Sequence, residues 1–198
     1  TEVYLRAIQA CMDQGRQALL LVPEIALTTL MQHRIVNRFG DRLAILHSAV
    51  GAGRRAEAWA KILAGKVDVV LGARSGIFAP LPRLGLVIVD EEHDQSYKQN
   101  DGIRYQGRDL AIMRAKFAGA SVVLGSATPS LESWQNHQRG RSHLLRLEKR
   151  ATQAKLPEVS IVDMREEFQK QRKRPLLSRV LEEAIETTLA HGNQVMIL

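Results

Sequence analysis

The sequence has a single cysteine, Cys11, in 198 residues. One thiol builds neither a disulfide framework nor a zinc cluster within the chain. A disulfide-stapled secreted scaffold is therefore excluded, and a reducing, cytoplasmic setting is expected. Set among Ala7, Ile8 and Met12, the thiol reads as a small core residue. Aromatics are few, at 5%, which leaves the globular reading intact. No apolar run reaches the ~18 residues of a membrane span and no secretory leader is visible, so no membrane partner is expected. Acidic residues are in the minority, 21 against 28 Lys and Arg, for a net charge of +7. That excess favours an anionic partner, of which nucleic acid is the commonest. The chain opens on Thr1 and stops inside the apolar run Val195–Leu198, so both ends read as cut.

What is present suits one large α/β domain, or one domain and the start of a second. Apolar runs at Ala18–Val22, Leu43–His47, Val67–Gly72, Leu84–Asp90 and Ser121–Gly125 read as strands. So do Leu144–Leu147, Val159–Asp163 and Gln194–Leu198. Several are apolar throughout rather than alternating, as expected of parallel strands covered on both faces. Helical stripes fill the gaps. Tyr4, Ala7, Ile8, Cys11 and Met12 form one, and Leu27, Leu30, Met31 and Ile35 a second. Ala56, Trp59, Ala60 and Leu63 form a third, and Leu110, Met113 and Phe117 a weaker fourth. Thr128-Pro129 reads as a helix cap followed by Pro at the first helical position. The clearest helix carries Leu177, Val180, Leu181, Ala184, Ile185 and Leu189 before Gly192. The βα alternation predicts a doubly wound parallel sheet with helices on both faces. The charge run Arg165 to Arg174 reads as a solvated linker, with DNA contact as the other reading.

Two strand ends carry chemistry. The run Leu86-Val87-Ile88-Val89 leads into Asp90-Glu91-Glu92-His93. Ligands of open α/β sheets bind at the carboxyl ends of strands. A carboxylate there can hold Mg²⁺ on a nucleotide, and a second can orient and deprotonate a water. An acid-rich helix N-terminus is the competing reading of the same residues. The run Val122-Val123-Leu124 leads likewise into Gly125-Ser126-Ala127-Thr128-Pro129, whose hydroxyls can bond to groups at a neighbouring strand end, His93 included. Thr128 can cap the following helix as well. A strand ending in DEEH followed by one ending in SATP is far more specific than either alone.

The pair resembles motifs II and III of superfamily 2 helicases of the DEAD/DEAH-like kind. Leu21 to Thr28 (LVPEIALT) resembles motif Ia, and Gly72 to Pro80 (GARSGIFAP) resembles motif Ib. With LHS, VIVDEEHDQSYKQ, RYQGRDLA and LGSATPSLES, the chain is similar throughout to the bacterial primosomal, replication-restart helicases. The resemblance implies a RecA-like first motor lobe over 1–138, a connecting segment over 139–175 and the start of a second lobe over 176–198, Asn193–Leu198 resembling motif IV. It implies ATP and Mg²⁺ as cofactors. Asp90 would hold the ion, Glu91 would act as base for water attack on the γ-phosphate, and His93, Ser126 and Thr128 would couple nucleotide state to DNA grip. Thr28, Arg74 and Ser75 would face DNA. The segment from Asp94 to Tyr105 resembles an aromatic-rich loop, where Tyr97 and Tyr105 would stack on bases of single-stranded DNA while Lys98 and Arg104 meet phosphates; an ordinary surface loop with both tyrosines half-buried is the competing reading. Ile103 stands where the family pattern has Trp.

The family's G-x-x-x-x-G-K-[ST] loop is matched only by its last residue, Thr1, whose hydroxyl is a second candidate Mg²⁺ ligand. Without the loop's amides and Lys, negligible ATP hydrolysis is expected from this chain alone. The resemblance places Zn²⁺-binding cysteines only in a later portion. It implies single-stranded and forked DNA, other primosome proteins and single-strand-binding proteins as partners, and a bacterial, nucleoid-associated location. Two rivals stay open: another superfamily 2 translocase, and a non-catalytic DNA-binding module derived from a motor lobe.

Overall fold

The computed structural model describes residues 1–47, 50–148, 158–171 and 176–197. The chain divides into two compact units, Thr1–Leu144 and Leu145–Leu198. The first is built on five parallel strands: β1 (Gln17–Leu21), β2 (Leu43–Leu46), β3 (Val69–Gly72), β4 (Leu84–Val89) and β7 (Ser121–Leu124). They lie in the order β2-β3-β1-β4-β7. A two-stranded antiparallel ribbon, β5 (Lys98–Gln99) and β6 (Tyr105–Gln106), stands apart from this sheet. The helices are α1 (Glu2–Asp13), α2 (Thr29–Phe39), α3 (Ala52–Leu63), α4 (Gly107–Ala118) and α5 (Leu131–Gln138).

β1, β3 and β4 are buried at every position because helices cover both faces. Alternate side chains go to opposite layers. Ala18 and Leu20 pack with Leu5, Ile8, Cys11 and Met12 of α1 and with Ile35 and Phe39 of α2. Leu19 and Leu21 pack with Ile62 of α3 and with Ala111 and Ala115 of α4. The doubly wound, RecA-like sheet read from the sequence is therefore the fold of this unit.

Alternation breaks once. Leu84 faces the α3/α4 layer, yet Leu86, two residues on, faces the α1/α2 layer. The register against β1 slips between Gln17 and Ala18, so Gly85 is the extra residue of a bulge. A Cβ on Gly85 would lie 2.6 Å from Arg16 Cβ and 2.8 Å from Cys11 Sγ. Beside it, fully buried Gln17 donates to the Val67 carbonyl at 2.6 Å and accepts from Arg83 N at 2.9 Å. One amide thus satisfies groups at the starts of two neighbouring strands.

Two helical stripes differ from expectation. On α3 the buried residue is Ile62, with Ala58 half-buried, while Trp59 and Leu63 are 39% and 64% exposed. On α4 the inward face is Gly107, Arg108, Ala111 and Ala115, and Phe117 is 81% exposed. Small residues let the α4 backbone approach the sheet closely, Leu110 packs at the margin of that contact, and Met113 and Phe117 lie on the outer side. Arg114 of α4 donates to the carbonyls of Ile77 and Ala79, anchoring the 3-10 segment Arg74–Phe78.

The runs at 144–147, 159–163 and 194–197 carry no strand. A ladder forms only where a neighbour offers unpaired backbone groups, and apolar content alone supplies none. Leu198, Ser48 of the LHS string and 172–175 of the charge run lie outside the described residues. In the second unit, α6 (Met164–Gln171) and α7 (Arg179–Ala190) are helical. Ser178 caps α7 through Leu181 N at 3.2 Å, and Glu167 accepts from Arg179 N at 3.2 Å. The apolar stripe of α7 stands open, with Val180 54% and Leu189 56% exposed. Among the described residues, no helix is long and apolar enough to cross a membrane.

Candidate functional site

The carboxyl edge of the sheet gathers most of the sequence candidates. β4 and β7 are adjacent, with Val89 opposite Leu124, so the segments after them leave the sheet side by side. Asp90 N continues the ladder to the Leu21 carbonyl at 2.9 Å. Glu91 then turns the chain at φ 46°, a left-handed conformation uncommon in residues other than glycine. The turn closes with Asp94 N donating to the Glu91 carbonyl at 2.8 Å. Across the gap, Gly125 N donates to the Val89 carbonyl at 2.9 Å and Glu92 N to the Gly125 carbonyl at 3.0 Å.

This lattice brings His93 and the SATP segment together. His93 Nδ1 lies 2.7 Å from Ser126 Oγ, and its Nε2 lies 3.5 Å from Thr128 Oγ1. Thr128 N donates to Ser126 Oγ at 2.9 Å, shaping the turn. His93 Nδ1 is also 3.7 Å from the Glu91 carboxylate. Thr128 is not the helix cap. That role belongs to Ser130, whose hydroxyl accepts from Ser133 N at 3.2 Å, and α5 begins at Leu131. Thr128 lies in the turn before it, bound to Ser126, so Pro129 falls before the helix and not within it.

Asp90 is half-buried and held from three sides. Its Oδ1 accepts the Tyr4 hydroxyl at 2.8 Å and Glu91 N at 3.2 Å, and its carbonyl accepts the Tyr97 hydroxyl at 2.7 Å. Burial pushes the Tyr4 phenol upward, and its bond to the Asp90 carboxylate pushes the same way. Burial likewise raises the Tyr97 phenol, with the Asp90 charge adding to it.

Glu92 has a different fate from its neighbours. It is 1% exposed and accepts four hydrogen bonds. Ser130 N lies 2.7 Å from its Oε1, and its Oε2 accepts from Ser130 Oγ (3.1 Å), Ser133 Oγ (2.9 Å) and Arg108 Nη1 (3.1 Å). Burial alone would push the Glu92 carboxyl up. The Ser130 amide, Ser133 and Arg108 outweigh it and hold the carboxyl below its ordinary value. Burial also opposes the Arg108 charge, but Asp109 at 2.9 Å and Glu92 outweigh it and raise its pKa. The acidic cluster is thereby tied to α4 and to the cap of α5.

The DNA-facing candidates divide. Thr28 is exposed and caps α2, accepting from Met31 N at 3.3 Å. Ser75, Lys98 and Arg104 are exposed. Arg74 Nη1 donates to the carbonyls of Ser96 (3.1 Å) and Lys98 (2.8 Å), and its guanidinium lies 6.0 Å from the centre of the half-buried Tyr105 ring. Phe78, half exposed, meets the same ring edge-on at 5.3 Å. Tyr97 corrects the reading of it as a stacking platform. Its ring is fully buried in the α3/α4 layer, where no base can reach it. Period and composition could not separate the two tyrosines, because burial is decided by the turn at Gln95–Tyr97.

Thr1 is exposed ahead of α1, in the N-cap position, with no side-chain capping bond. From the sequence Tyr4 was read only as part of the α1 apolar stripe, and Arg108 and Ser133 only as members of the matched strings, with no role in the site. The available signals were Tyr4 one helical turn after Thr1, and the S-x-x-S spacing of Ser130 and Ser133.

Comparison with known proteins bears on the same segments. The DEAD/DEAH box helicase family matches residues 1–137. Replication restart protein PriA of Bacillus subtilis (strain 168) is 45% identical over 197 residues, covering 100% of this chain and 24% of that protein. PriA of Chlamydia muridarum is 44% identical over 198 residues, covering 100% of this chain and 26% of that protein. PriA of Rickettsia felis is 44% identical over 197 residues, covering 100% and 30%. The chain thus spans 24–30% of the length of these relatives. A family match that takes in all five strands of the parallel sheet, whose adjacent strands β4 and β7 end in DEEH and SATP, means that the chain belongs to the DEAD/DEAH box helicase family.

Proposed function

We propose that this chain is part of the first motor lobe of an ATP-driven DNA helicase or translocase acting in replication restart, the role in its relatives' name. The observation that carries the reading is the shared edge of β4 and β7, where His93 Nδ1 meets Ser126 Oγ at 2.7 Å beside Asp90 and Glu91. In this reading the lobe covers 1–138, 139–175 connects, and 176–198 opens a second lobe.

The donor set suits a hard divalent ion. Mg²⁺ takes oxygen ligands and is usually held by one or two protein groups together with substrate phosphates and water. Asp90 offers a carboxylate whose two hydrogen bonds both fall on Oδ1, and Thr1 offers a hydroxyl at the start of α1. The bound ion would neutralise charge on the phosphates. Glu91, next along the chain and partly exposed, orients a water and takes its proton. His93 reads the position of the SATP turn through Ser126 and Thr128, so a shift of either strand end reaches the other. Thr28, Ser75, Lys98 and Arg104 present hydroxyls and cations to a DNA backbone, and Tyr105, steadied by Arg74 and Phe78, presents a ring edge beside them.

The test uses the full-length protein. DNA-stimulated phosphate release is measured with Glu91→Gln as control, and hydrolysis is expected to fall by roughly 10²-fold or more. Wild-type turnover in that variant would refute the assignment. Lys98→Ala with Arg104→Ala is expected to weaken single-stranded DNA binding and flatten its salt dependence. An unchanged slope would remove the DNA-facing role from this loop.

A further inference from the structure

The reading of Asp90 as the ion's carboxylate requires it to hold one orientation, and a separate helix supplies the means. Tyr4 reaches from α1 to the end of β4 and donates its hydroxyl to Asp90 Oδ1 at 2.8 Å. It does so across the backbone of Gly125, at the end of β7. A Cβ on Gly125 would fall 1.7 Å from the Tyr4 hydroxyl oxygen and 2.8 Å from Cζ. The glycine is needed there for space, not for backbone freedom. From another side, the Tyr97 hydroxyl holds the Asp90 carbonyl at 2.7 Å. Tyr4 is one helical turn from Thr1, so the helix that begins at one candidate ligand also grips the other.

We propose that Tyr4 is a positioning residue for the nucleotide site: it fixes the Asp90 carboxylate by Oδ1, leaving Oδ2 for the divalent cation, and Gly125 is the opening that admits it. The proposal rests on the motor reading above, and it concerns a residue with no place in the helicase motifs described here.

The test is made on the full-length protein with Tyr4→Phe, which deletes the hydroxyl and keeps the ring. Mn²⁺ binding is followed by electron paramagnetic resonance in the presence of a non-hydrolysable ATP analogue. The loss of one hydrogen bond to a charged group is expected to weaken Mn²⁺ binding by roughly tenfold. The Mg²⁺ concentration for half-maximal DNA-stimulated hydrolysis should rise by a similar factor. Nucleotide-free affinity for single-stranded DNA should not move. A tyrosine that only fills space would alter thermal stability and leave the metal dependence as it was. Gly125→Ala, which expels the ring, should reproduce the metal defect. In a Tyr4→Ala background the same Gly125→Ala change should add nothing, because the ring it displaces is gone. Wild-type Mn²⁺ affinity in Tyr4→Phe overturns the proposal, as does a Gly125→Ala defect that persists undiminished without the ring. Glu91→Gln in the same hydrolysis assay separates the two levels. If that variant is inactive and Tyr4→Phe behaves as wild type, only the Tyr4 assignment fails; if the wild type shows no metal-dependent hydrolysis, both fail.

Discussion

Removing the Glu92 carboxylate should destabilise the first unit more than any other single change at the sheet edge. Glu92 is 1% exposed, and the Arg108 side chain that bonds it is 10% exposed. Glu92→Leu takes the buried acceptor from Ser130 N, Ser133 Oγ and the Arg108 guanidinium, which keeps Asp109 at 2.9 Å and the Ser130 hydroxyl at 2.7 Å. Deleting one partner of a buried ion pair costs about 3–5 kcal/mol where the remaining charge is left uncompensated; Asp109 still faces Arg108, so a loss at the low end, about 3 kcal/mol, is expected. Arg108→Met removes only one of the four donors to Glu92, so its cost is expected at about 1–3 kcal/mol. In the double variant neither charge is left alone. Its loss should therefore be smaller than the sum of the two single losses by about 1.5 kcal/mol or more. Urea unfolding followed by near-ultraviolet circular dichroism measures all three. Losses that add to within about 0.5 kcal/mol would refute the coupling, since that is the behaviour of independent sites. The same carboxylate predicts a pH dependence. Its folded value is held below the ordinary 4.5, so its stabilisation is fully present above that pH and is lost as pH falls through the lower folded value. The stability gap between wild type and Glu92→Gln should accordingly narrow below pH 4.5.

Other positions give separate tests. Gln17→Leu leaves the Val67 carbonyl and Arg83 N without their buried partner, and a loss of about 1–3 kcal/mol is expected in the same urea assay. Gly85→Ala places a methyl 2.6 Å from Arg16 Cβ, and overpacking of that kind should cost about 1–3 kcal/mol, read as a lowered melting temperature. Burial raises the Cys11 thiol, so its alkylation in the native protein should be far slower than after unfolding; equal rates would contradict the packing of α1 on the sheet.

Sequence pattern was enough for the five strands of the parallel sheet and for the ends of β4 and β7, and the reason is physical. A strand buried on both faces is apolar, and polar residues resume where it leaves the sheet, so Val89-Asp90 marks the end of β4; β7 is a partly exposed edge strand, and its end was read from the apolar run Val122–Leu124. Cys11 as a core residue was legible from the apolar helical stripe around it. The faces of α3 and α4 were not. Their small and large apolar residues offer two possible stripes, and only the sheet's shape selects Ile62 and Ala111 over Trp59 and Phe117. The strands expected at 144–147 and 159–163 failed because a strand depends on a partner that its own residues do not encode.

Within the candidate site, residue type singled out Asp90, Glu91 and His93 but could not say which of the neighbouring residues would turn inward. Tertiary structure alone turns Glu92 inward onto Arg108 and Ser130, buries Tyr97 while leaving Tyr105 at the surface, and lays Tyr4 across Gly125 to reach Asp90. Each of these contacts joins residues from different elements, Tyr4 and Asp90 standing 86 positions apart. Local sequence specifies which groups a strand end carries. The distances between strand ends, and with them the partners each group can reach, exist only once the sheet has assembled.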